Sequence, residues 1–209
     1  MGKKIFLIRH GQTDYNLNGI VQGSGVNAPL NENGRRQAEL FYQAYHSCGI
    51  QKVYTSALIR THESVQGFID AGIDWEILSE LNEISWGKHE GKMITPEEDA
   101  YYRWLMVQWQ QGRTDLKIEQ GESPDEVAAR LRIAIDTIMH DSANQILICM
   151  HGRAMRMMLC LLQNLPLQYM DQFEHSNLCL YQLEQATSGY QIITRNCTAH
   201  LKSSSEVNS

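Results

Sequence analysis

Lys4-Ile-Phe-Leu-Ile-Arg-His-Gly11 and, 141 positions later, Gln145-Ile-Leu-Ile-Cys-Met-His-Gly152 share one design. Each is a short apolar run that stops at a histidine followed by glycine. Runs of this length, bounded by polar residues and glycine, read as buried strands. In an open α/β sheet, ligands bind in the crevice beyond the carboxyl ends of the strands. If these two strands are neighbours, His10 and His151 enter one crevice, and Gly11 and Gly152 let the backbone approach a bound group closely. A third strand, Gln51–Thr55, is followed by Ser56 and, one turn into the next helix, by Arg60. Arg9 and Arg60 beside two imidazoles make a local cationic pocket. The planar fork of arginine suits an oxyanion, phosphate above all.

That pocket belongs to an acidic chain. The 209 residues carry 18 Lys+Arg against 24 Asp+Glu, for a net charge of −6. Such a balance argues against nucleic acid as partner, since binders of nucleic acid carry a basic footprint. Hydrophobic content of 43% and charged content of 20% describe a globular protein. A chain of this size buries about 70% of its unfolded surface, enough for one core, and residues 1–200 are expected to form a single domain. The apolar run at the start is too short for a signal peptide, and no run reaches membrane-spanning length. The five cysteines are widely spaced, with no Cys-x-x-Cys. A reducing, cytoplasmic location is expected.

Outward from the strands, a helix is expected from Asn31 to about Cys48-Gly49 and another from Leu58 to Ile69, with Tyr15 to Leu30 a long loop. Thr95-Pro-Glu-Glu98 and Ser123-Pro-Asp-Glu126 each join an N-cap hydroxyl, a proline and a glutamate three residues after the cap. Both are helix starts. The first opens an aromatic-rich segment, and residues 92–122 read as a helical lid-like insertion. Ala154–Leu162 is apolar nearly all round, as in a helix buried on a sheet. Asn177–Leu183 and Tyr190–Thr194 fit a hairpin around Ser188-Gly189, and 201–209 a disordered tail. The alternation predicts an α/β fold, with a mainly parallel central sheet and helices on both faces.

Leu7-Ile-Arg-His-Gly-Gln-Thr-Asp-Tyr-Asn16 resembles the signature of the histidine phosphatase superfamily, the phosphoglycerate mutase-like proteins. The likeness continues through Ala28-Pro-Leu-Asn-Glu-Asn-Gly-Arg-Arg-Gln-Ala38, Ser56-Ala-Leu-Ile-Arg60, Leu81-Asn-Glu83…Gly87-Lys-His-Glu-Gly91, Gly121-Glu-Ser123 and His151-Gly152. It implies the phosphoglycerate mutase-like fold and a role for each matching residue. His10 would be the nucleophile that forms a phosphohistidine. Arg9, Arg60 and a protonated His151 would hold the phosphoryl oxygens, with Asn16 and Gly152 also at the phosphate. Glu83 would be the general acid and then the base, although Glu80 and Glu90 lie close by and a solvated or capping carboxylate is the alternative. No metal and no cofactor are implied, because phosphoryl transfer needs positioning and positive charge, which the arginines supply. Asn27, Ser64, His89 and Arg153 depart from the common pattern, around the rim rather than among the phosphate ligands.

The expected activity is a phosphatase acting on a small soluble phosphate monoester. A phosphoglycerate mutase would use the same pocket, but the residues after Glu83 are nearer the phosphatase form. A non-catalytic binding module for a phosphorylated metabolite is the third reading. His46, His62, His140, His175 and His200 read as surface or packing residues. Arg153 and Arg156 either reach substrate or form salt bridges. Trp86, Tyr101, Tyr102, Trp104 and Trp109 either line the lid or pack it onto the sheet.

Overall fold

The computed structural model describes residues 2–202. Strand β1 (Lys4–Arg9) alternates Ile5 and Leu7 toward one apolar cluster with Phe6 and Ile8 toward another. β4 (Gln145–Met150) repeats the division, Ile146, Ile148 and Met150 against Leu147 and Cys149. A strand buried on both faces reads as a continuous apolar run. Each such Leu or Ile contributes roughly 1.5–3 kcal/mol by leaving water.

The full sheet has six strands in the order β3-β2-β4-β1-β5-β6, with β2 spanning Lys52–Thr55, β3 Asp74–Ile77, β5 Leu180–Ala186 and β6 Gly189–Cys197. β3, β2, β4 and β1 run parallel; β5 and β6 complete the sheet as an antiparallel hairpin. A short helix, α1 (Asp14–Leu17), interrupts the expected loop after β1. One face carries α2 (Glu32–Tyr45), which buries Phe41. The same face takes α3 (Ile59–Ser64) and α4 (Gln66–Asp70). The other carries α5 (Pro96–Gln110), α6 (Pro124–His140) and α7 (Gly152–Leu162). Both expected capping boxes close, Thr95 with Glu98 and Ser123 with Glu126. Of the sheet-packing helices, α2, the first after β1, therefore lies on one face and α7, which follows β4, on the other, and the crevice opens between the ends of these two strands.

Four expectations are corrected. The helix from Leu58 to Ile69 is broken at Val65, because Ser64 Oγ donates back to the Arg60 carbonyl (2.6 Å), a bond that bends helices. β3 was not predicted. It is an edge strand with exposed Asp74 and Glu76, both paired with Lys52. β5 begins at Leu180 rather than Asn177, since Leu178 takes a left-handed conformation (φ +53°). Leu201, expected in the tail, ends a 3₁₀ turn and packs on the α2 side of the sheet, while 203–209 lie outside the described residues.

Candidate active site

The parallel register pairs Ile8 with Cys149 and Arg9 with Met150, so the next residues, His10 and His151, leave the sheet side by side. The His10 N–H donates to the Met150 carbonyl (3.0 Å), and the two imidazole centroids stand 5.2 Å apart. Both residues are buried. His10 Nδ1 donates to the Gly11 carbonyl (2.7 Å). The proton is thereby fixed on Nδ1, and Nε2, which has no hydrogen-bond partner among the described residues, keeps its lone pair.

His151 has the opposite tautomer. Its Nδ1 accepts from Arg60 Nε (3.2 Å), and its Nε2–H donates to Ser56 Oγ (2.8 Å). Burial, followed by the Arg60 charge, holds both imidazoles well below the ordinary histidine range. The expectation of a protonated His151 is therefore corrected for this structure: Nδ1 keeps its lone pair to accept from Arg60 Nε, and desolvation, followed by the Arg60 charge, disfavours the cation. Arg60 is fully buried, and its remaining nitrogens donate to the carbonyls of Val26 (2.6 Å) and Gly23 (3.2 Å). Burial pulls it down to about 10, still a cation at neutral pH.

Arg9 sits behind His10 and donates to His175 Nδ1 (3.2 Å), while its buried Nε has no partner among the described residues. His175 was expected to be a surface or packing residue. Burial, with Arg9 and Arg156 adding to it, pushes it down to about 3. Its ring also explains Gly152, where a Cβ would lie 2.6 Å from His175 Cε1. Asn16 Oδ1 accepts from the Thr13 N–H and from Asn177 Nδ2, and Asn177 Nδ2 also donates to the His10 carbonyl. The Asn16 amide nitrogen remains as the donor. Ser64 Oγ accepts from the Gly11 N–H (2.9 Å), so this departure from the common pattern still braces the loop.

Glu83 is buried at the N-terminus of α7. Its Oε1 accepts from the N–H groups of Ile84 (2.9 Å) and Ala154 (2.8 Å), and its Oε2 from that of Arg153 (3.0 Å). A carboxylate suits this end of a helix, where free N–H groups and the macrodipole are positive. Arg130 fixes the loop from below by donating to the carbonyls of Glu80, Asn82 and Glu83. Glu90 serves elsewhere, accepting from the N–H groups of Trp86 and Gly25.

Arg153 and Arg156 both pair with Asp171, and Arg153 also donates to the Tyr102 hydroxyl (3.0 Å). The aromatic residues divide: Trp109 is core, Trp86 and Tyr102 line a cavity, and Tyr101 and Trp104 stack on each other at the surface. The site residues missed from sequence are His175, Asn177 and Arg130. The only signal for the first two was a polar stretch before the apolar run at Leu178.

A mainly parallel sheet whose central crevice gathers two imidazoles and two guanidinium groups defines an α/β protein with a cationic pocket at its strand ends. The chain belongs to the histidine phosphatase superfamily (branch 1), whose model matches residues 5–198. A probable phosphoglycerate mutase GpmB of Yersinia enterocolitica is 31% identical over 208 residues, covering 95% of this chain and 94% of the relative. The same-named protein of Serratia proteamaculans is 32% identical over 78% of this chain and 76% of its own length. In fold, the chain is similar to a putative α-ribazole-5'-P phosphatase from Escherichia coli (TM-score 0.82, 22% identity, 94% of this chain and 97% of that one). It is also similar to a mycobacterial glucosyl-3-phosphoglycerate phosphatase complexed with VO3 (TM-score 0.81, 21% identity, 94% and 100%). Among the described residues no helix is long and apolar enough to cross a membrane, and no group of three or more His, Cys, Asp or Glu could hold a metal ion.

Proposed function

We propose that this protein is a metal-independent phosphatase that hydrolyses a small phosphate monoester through a phosphohistidine on His10. The observation that carries the reading is the state of His10: neutral, oriented through Nδ1 by the Gly11 carbonyl, with the Nε2 lone pair open beside His151. The phosphate monoanion brings one proton, which passes to Glu83 Oε2, the oxygen with a single N–H donor. Nε2 then attacks phosphorus in line with the ester oxygen, the P–O bond breaks, and Glu83 gives that proton to the departing alkoxide. Glu83 then takes a proton from water, whose oxygen attacks the phosphohistidine and releases orthophosphate. Arg9 and Arg60 hold the equatorial oxygens, where fixed cations act most strongly on a transition state that is already negative. Asn16 adds one N–H, and the helix start at Gly152 lies beside the same oxygens.

A second reading, phosphoryl transfer between hydroxyls of phosphoglycerate, is favoured by the name of the curated relatives. Incubation with 3-phosphoglycerate separates the two: orthophosphate supports hydrolysis, and isomerisation that needs a bisphosphate supports the mutase. A panel of phosphorylated metabolites, with and without chelator, should show phosphate release unaffected by the chelator. His10→Ala should abolish it; unchanged hydrolysis of an aryl phosphate by this variant would defeat the phosphohistidine route.

A further inference from the structure

Next to the crevice, the α5 segment and the loop after Ile20 flank an open-sided cavity of about 250 Å³. Its walls are Val21, Trp86, Ile94, Tyr102 and Ile118. Gln22 and His89 are the polar residues on it. The cavity is tied to the proposed phosphoryl site at two points. Gln22 Oε1 accepts from Thr13 Oγ1 (3.1 Å) and directly precedes Gly23, whose carbonyl holds Arg60. Trp86 follows Glu83 by three residues and meets Tyr102 edge to face at 5.5 Å.

The nearby cations are already committed. Lys88 pairs with Glu119 (2.7 Å), Lys92 with Glu98 (2.8 Å), and Arg153, behind Tyr102, with Asp171. His89 is buried, and desolvation lowers its affinity for a proton despite Glu98 at 3.8 Å. A carboxylate or a second phosphate placed here would lose its water and meet no lysine or arginine among the residues that line the cavity, a costly exchange. An alkyl or aryl group would gain by the same burial.

We infer that this cavity receives the alcohol half of the substrate and that this half is an uncharged alkyl or aryl group. The inference rests on the phosphatase reading above and narrows its substrate class. It places the specificity of the enzyme in Ile94, Trp86, Tyr102 and Ile118 rather than in the phosphate ligands.

The test is a series of ethyl, butyl and hexyl phosphates, whose leaving alcohols are alike in acidity, compared with 3-phosphoglycerate by orthophosphate release. kcat/KM should rise about fourfold per methylene until the cavity is filled, and 3-phosphoglycerate should fall roughly tenfold or more below butyl phosphate. Ile94→Arg, which leaves the phosphate ligands untouched, should flatten the series and raise 3-phosphoglycerate relative to the alkyl esters. A flat or falling series, or preference of the unaltered protein for 3-phosphoglycerate, overturns the inference. The matching alkylphosphonates, which cannot be hydrolysed, are measured by calorimetry and should show the same gain per methylene. If no ester releases phosphate, the hydrolytic reading fails, and the phosphonate slope still decides what the cavity binds.

Discussion

His10 and His151 are one kind of side chain held as opposite tautomers by what their Nδ1 atoms touch, a carbonyl in one case and a guanidinium in the other. Glu83 is specified just as closely, because three backbone N–H groups fill one oxygen and half-fill the other. In Glu83→Gln, Oε1 can be replaced by the amide oxygen, but the amide nitrogen then faces the Arg153 N–H, donor against donor. On the proposed mechanism this variant should lower kcat by roughly 10²–10⁴ for an alkyl ester, the usual worth of general acid–base help. The loss should be much smaller for a 4-nitrophenyl ester, whose leaving group needs no proton. Equal losses in steady-state assays of both esters would remove Glu83 from the acid role. At this scale the sequence was legible wherever a residue ends a strand or begins a helix: His10, His151 and Arg60 are placed by the elements that carry them. His175 and Asn177 were not, because their contacts with Arg9 and Asn16 arise only when the chain returns some 160 residues later.

Helix α7 ties the crevice to the segment above it. The backbone of Arg153 holds Glu83, while its side chain spans to Tyr102 and Asp171 and lies over the Trp109 ring. Arg153→Ala keeps the first contact and cuts the others. It should cost on the order of 1–2 kcal/mol, or roughly 2–8 °C in Tm. Hydrogen exchange of the α5 amides should quicken while β1 and β4 stay protected; unaltered α5 exchange would show that Arg153 does not anchor that helix. Elements with two apolar faces or a full capping box were read correctly from sequence. The break at Val65 and strand β3 were not. One depends on a single side-chain bond from Ser64, and the other is an exposed edge whose Asp74 and Glu76 hide the strand pattern behind charge.

Across the whole molecule, burial lowers the proton affinity of His10, His89, His151, His175 and His200. Below about pH 6.5 the unfolded chain therefore binds more protons than the folded one, and stability must fall as the pH falls. His175 alone, at about 3 in the fold, removes on the order of 2 kcal/mol between pH 6.5 and pH 5. The carboxylates lowered by ion pairs, such as Glu98 and Glu126, lose their contribution only at still lower pH. Urea unfolding at pH 7.5 and pH 5.0 should show a clearly lower midpoint at pH 5.0; equal midpoints would mean that these imidazoles are not held neutral by the fold.

The order of the strands carries one more implication. β4 slots between β1 and β2 although it follows both in the chain by some ninety residues or more. A molecule arrested before that insertion could own every helix and still be inert, because the second imidazole would have nowhere to stand. Recovery of turnover during renaturation would thus act as a clock for this long-range insertion, silent to everything that forms locally beforehand.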